Sequence, residues 1–155
     1  MVATENVKKL SDQVTELIYL LTELRVLRFR NRQHSELYAL LNEFHARITA
    51  DLTELTLRLR ELKGEVSHQG SDERHAGHDD RLELYRAGRV SVAEKLDKFL
   101  EWHDEDSART RELFEAFVKE QDVTTRTVLL LVDIHLVEGL EKLALLSVDP
   151  NFRSS

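Results

Sequence analysis

A chain of 155 residues with a formal charge of −7 and no cysteine is sized for one domain, residues 1–155, and has no disulfide framework, thiolate metal site or cysteine nucleophile. Its acidity argues against broad electrostatic capture of nucleic acid, so DNA binding is expected to be weak or absent. Five glycines and one proline, set against one-third charged residues, point to long amphipathic helices and an all-α fold.

The opening MVATENVKKL lacks the basic-then-apolar order of a secretory leader, and no apolar run approaches the roughly 18 residues of a membrane span. The expectation is a cytoplasmic protein with no membrane contact. A first helix over 5–30 is predicted from Val7, Leu10, Val14, Leu17, Leu21 and Leu24, whose three-four spacing keeps one stripe facing a partner. It closes in RFRNRQH, where cations suit the helix dipole and Asn31 is a candidate left-handed cap. A second helix over 34–63 repeats the pattern through Leu37, Leu41, Phe44, Ile48, Leu52, Leu55, Leu59 and Leu62, then stops at Gly64.

The next stretch, EVSHQGSDERHAGHDDRLELYRAGRV, is polar and punctuated by glycine. Inside it, Asp80 and Glu83 have capping-box spacing, and Gly88 stands where a short helix over 80–87 would close. Ser91 and Glu94 repeat that spacing and start a helix over 91–120, with the stripe Val92, Leu96, Phe99, His103, Asp106, Thr110, Leu113 and Phe117. Asp122 caps a last helix over 123–147, and Pro150 is expected to end regular structure. Hairpins then join the first two long helices and the last two, and a connection of about 25 residues joins second to third. This is the plan of a ferritin-like four-helix bundle whose long helix 2 to helix 3 crossover contains a short helix; an up-down bundle with a loose loop is the alternative.

In this arrangement the chain resembles the Dps family, the mini-ferritins. The likeness rests on the four helices, the short helix midway along the crossover, the second helix running to a terminal glycine, and DVTTRTVLLLVDIHLVEGLEKLALL with its Glu141–Lys142 step. The resemblance implies a hollow dodecamer of identical subunits, with iron as the metal handled at sites shared between two subunits. The family's four usual iron ligands fall on Val26, Tyr38, Thr53 and Leu57, none of which is a histidine or carboxylate. Iron prefers oxygen and imidazole donors, so the usual ferroxidase site is expected to be lost and iron oxidation to be weak or absent. The implied function is a cage subunit for iron or metal storage or stress protection. Two other readings stand beside it: an active ferroxidase with relocated ligands, and a helical interaction module that forms no cage.

Relocated ligands have several candidates. His103 and Asp106 lie one turn apart on an apolar stripe, and His135 and Glu138 share that spacing on the last helix. The first pair reads more simply as a hydrogen-bonded polar contact at a subunit contact or internal cavity, the second could complete a metal site in the bundle core, and His34 and His45 read as surface or interface residues. The crossover gathers His68, His75 and His78 beside Asp79 and Asp80, donors for zinc, nickel or iron or else a solvated loop. Glu120 and Asp122 are candidates for lining an acidic pore. Arg25, Arg28 and Arg32 share a helix face, with Arg30 apart from them; they are candidate DNA contacts, or cations placed by the helix dipole that form salt bridges within the chain or across an interface. The crossover residues Leu82, Leu84 and Tyr85 have no evident burial in a lone bundle, which favours a subunit contact.

Overall fold

The computed structural model describes residues 2–65 and 72–154, with the backbone alone for 72–76. Among the described residues the regular structure is entirely helical: α1 (Thr4–Arg30), α2 (Ser35–Glu61), α3 (Asp72–Arg86), α4 (Val92–Trp102), α5 (Asp106–Lys119), α6 (Val123–Ser147) and α7 (Pro150–Arg153). None of these helices is long and apolar enough to cross a membrane.

Side-chain contacts give the course of the chain. Late α2 meets early α6 through Arg58 and Asp122, mid α2 meets mid α6 through Asp51 and His135, and Arg47 meets Glu138 beyond, so the two run antiparallel. The same ladder links α1 to α4 and α5, through Glu23 and His103, then Gln13 and Thr110, then Asn6 and Glu120. α1 also runs against α2, and α5 against α6. It follows that α2 and the α4–α5 pair run parallel, each flanked by α1 and α6. One continuous core of Leu, Val, Ile and Phe fills the space between them. At Gly139 the α6 backbone lies so close to the Phe44 side chain of α2 that an added Cβ would stand 2.6 Å from its ring.

The helix ends explain several departures from the sequence reading. Asn31, at φ −125°, is not left-handed; its amide side chain instead donates to the Leu27 carbonyl. α2 ends in a Schellman motif, with Gly64 N–H on the Leu59 carbonyl and Lys63 N–H on that of Arg60, and the left-handed residue is Lys63 at φ 61°. Gly64 is needed for room, because a Cβ there would stand 2.3 Å from Leu59. α5 closes the same way on left-handed Gln121, and the next residue, Asp122, caps α6 by accepting from Thr125 N–H at 3.0 Å.

The crossover helix starts well before residue 80, so Asp80 and Glu83 lie inside α3 rather than at its start. The helix expected over 91–120 is two, α4 and α5, broken at His103–Glu105, where Asp106 N–H bonds the His103 carbonyl in a tighter i→i−3 turn. Pro150 starts α7 instead of ending regular structure. Its missing N–H costs nothing at the first helical position, Asp149 caps the turn, and Phe152 is buried beneath it. Finally, α3 packs along α1 within the same chain. Tyr85 is fully buried against Phe99 and Trp102, so its burial needs no second subunit.

Candidate charge cluster between the first helix, the crossover and the helix break

Glu23 lies on the buried stripe of α1 among Leu20, Leu24 and Leu27, and is itself fully buried. A carboxylate in such a place is costly without partners. Three elements supply them. The break after α4 brings His103, whose Nε2 lies 3.1 Å from Glu23 Oε1; α3 brings Tyr85, whose hydroxyl donates to that oxygen at 2.8 Å, and Arg81, whose Nε donates at 3.2 Å. Asp106 then takes the other side of the imidazole, its Oδ2 2.6 Å from His103 Nδ1, and accepts at Oδ1 from Arg109 at 2.8 Å. Glu23 Oε2 faces His78 Nδ1 across 3.6 Å, outside hydrogen-bond distance.

With a carboxylate on each ring nitrogen, His103 is an imidazolium donating twice. Burial alone would strip its proton, but Asp106 and, after it, Glu23 push its pKa up to about 9. Burial also opposes the Glu23 charge, yet the His103 hydrogen bond, His78 and the Arg81 charge together hold its carboxyl well below the usual carboxylate range. Tyr85 is driven strongly upward, first by burial and then by the neighbouring Glu23 charge, and stays a neutral donor. Both ring nitrogens of His103 are thereby occupied as donors, and neither keeps a lone pair for a metal or a proton. The chemistry of the cluster is that of a closed, buried ion-pair network.

His135 and Glu138, the other pair, part company. His135 Nδ1 sits 2.6 Å from Asp51 Oδ2, whereas Glu138 turns to Arg47 at 2.8 Å and Lys142 at 3.0 Å. The cleft beside them, about 10 Å³, holds at most a single water. In the crossover, His78 is buried and stacked on Tyr19 at 4.5 Å, while Asp79 and Asp80 are exposed, so these three do not converge. His68 and the side chain of His75 lie outside the described residues. Among the described residues, no three histidines or acids are arranged to hold a metal ion.

Of the family's ligand positions, Thr53 and Leu57 are exposed on α2, and the Thr53 hydroxyl donates to the Thr49 carbonyl. Val26 and Tyr38 line a separate groove with Arg25, Arg28 and Arg32. Among the described residues of the single chain, none of those arginines pairs with a carboxylate. Asp122 is occupied by its cap and by Arg58 at 2.9 Å, and Glu120 accepts from the start of α1. His34 packs edge-on to Phe152, and half-buried His45 keeps Nε2 without a hydrogen-bond partner.

The sequence reading missed Glu23. Its one local signal is a carboxylate set among Leu20, Leu24 and Leu27, on the face that must be buried. No family model matches the chain, and neither a curated protein nor a solved structure does.

Proposed function

We propose that the chain is a cage-forming subunit of the ferritin-like, Dps-like kind, acting in iron or metal storage or stress protection without an iron-oxidising centre at the family's usual positions. The observation that carries this reading is the course of the chain. Neighbouring long helices are antiparallel, while α2 and the α4–α5 pair are parallel, as a bundle with one long crossover requires. In an up-down bundle those two elements would be antiparallel neighbours.

A fold alone does not give a function, and two features of the surface support the rest. Val123, Leu130, Leu131 and Ile134 expose apolar surface on one side of the first half of α6, and Leu145 and Val148 continue that side beyond Glu138 and Glu141, a face suited to a second copy of the chain. Val26, Tyr38, Thr53 and Leu57 offer iron at most a phenol and a hydroxyl, which are poor neutral ligands.

Light scattering behind a sizing column tests the assembly. A particle of about twelve 18.0 kDa chains is expected, and Leu130→Asp with Ile134→Asp should dissociate it while leaving the helical signal intact. A monomer at micromolar concentration would overturn the cage. Aerobic oxidation of ferrous ion should run hardly faster than in buffer; rapid, saturable oxidation would overturn the loss of the centre.

A further inference from the structure

Arg25, Arg28, Arg30 and Arg32 from the end of α1, and Arg86 from the end of α3, line a single groove of about 540 Å³. No acidic residue among those described lines it. Among the described residues none of the five guanidiniums pairs with a carboxylate: Arg28 donates to the Asn42 amide at 2.8 Å and Arg32 to the Phe29 carbonyl. Two helix C-termini converge here and each favours nearby cations, but by only about 0.3–1 kcal/mol in the last turn, which does not call for five together. Their combined field reaches neighbouring groups. After burial, the Arg28 and Arg25 charges lower the proton affinity of His45, and the Arg30 charge lowers that of Lys95.

Aromatic surface accompanies the charge. Phe29 is 59% exposed, with the Arg32 guanidinium 4.9 Å from its ring centre, and Tyr38 is 38% exposed at the same groove. Planar guanidinium forks match phosphate oxygens in pairs, and an exposed ring offers a face for stacking. The volume is that of a small-molecule site, commonly about 300–1,000 Å³. Without these five arginines the chain carries −12 (−7 less 5), which repels an extended polyanion but not a compact one held inside the groove.

We propose that this groove binds a small polyphosphorylated ligand of roughly three to five negative charges, its phosphate chain on the arginines and, in a nucleoside triphosphate, its base against Phe29 and Tyr38. The chemistry recognised is the phosphate chain, so an inorganic chain of equal charge is a ligand as well.

Calorimetric titration of the full chain at ~150 mM salt with adenosine triphosphate, tripolyphosphate, adenosine and a short DNA duplex tests it. Saturable binding of the first two is expected, with none of adenosine. Arg25→Ala with Arg32→Ala should weaken both by at least about tenfold, and Arg86→Ala, from a different helix, should weaken them in the same direction. Because these side chains hold no carboxylate, circular dichroism should be unchanged. Phe29→Ala weakening the nucleotide alone identifies a nucleoside ligand, whereas equal loss for both or for neither identifies the inorganic chain. The proposal is overturned by absence of binding at millimolar ligand, by affinities the arginine variants leave unchanged, or by duplex binding that neither small ligand displaces.

Discussion

Two imidazole–carboxylate contacts of the same length, 2.6 Å, hold opposite sides of this bundle: His103 with Asp106, and His135 with Asp51. They differ in what else surrounds them. The His103 side chain is 2% exposed and has Glu23 on its second nitrogen; that of His135 is 21% exposed, with Asp51 as the carboxylate hydrogen-bonded to it among the described residues. The outcome is opposite in sign for the carboxylates. Glu23, 3.1 Å from His103, is held below its usual range, whereas burial raises Asp51, although His135 lies nearer at 2.6 Å and only partly offsets it. Contact distance alone therefore does not say whether a buried carboxylate is content as an anion; the number of donors converging on it does.

Removing the acid at the centre of the larger cluster should cost most. Glu23→Gln takes the second carboxylate from the buried His103 imidazolium, leaving it Asp106, and replaces the anion to which Arg81 and Tyr85 donate; a loss of about 3–5 kcal/mol in chemical denaturation is expected. A loss below about 1 kcal/mol would mean that water already reaches the cluster.

The second effect is alkaline. His103 is raised in the folded state to about 9, above its ordinary value of 6.5. Its contribution is therefore complete below about pH 6.5 and disappears as pH rises through about 9, up to about 3 kcal/mol. Glu23, depressed, acts in the other direction: its contribution is complete above its ordinary value of 4.5 and is lost on acidification below it. Denaturation midpoints measured from pH 4 to 10 should show a plateau between these limits, and His103→Gln should remove the alkaline fall.

Smallest of the three is the change at the other pair. Asp51 is already disfavoured as an anion, so Asp51→Asn keeps the shape and an acceptor for His135 and should change stability by less than about 1 kcal/mol at neutral pH. A loss comparable to that of Glu23→Gln would erase the distinction between the two pairs.

Much of the framework could be read from periodicity. Every member of the stripe from Val92 to Phe117, including His103, Asp106 and Thr110, is buried, because a 3.6-residue period still identifies the inner face when polar residues interrupt it. The break inside that stripe was invisible, since HDED contains neither glycine nor proline and bends to satisfy Glu23, 80 residues away. The crossover helix was found but misplaced, because its burial comes from α1 and not from its own sequence. His103 and Asp106 were recognised as partners from their one-turn spacing. Glu23, Arg81 and Tyr85 join them only through packing between distant segments, as Arg86 joins the α1 arginines.

The junction at Gln121 and Asp122, which ends one helix and begins the next, bears on the order in which the molecule folds. The α5–α6 hairpin closes within a couple of residues, at almost no loop-closure entropy, whereas the Glu23–His103 contact must draw together 80. Local pairing of this kind is available to the chain before the long crossover has found its place. Asp122→Ala should accordingly slow refolding, while Glu23→Gln should chiefly speed unfolding, so that the most strongly charged part of the interior is the last to assemble and the first to let go.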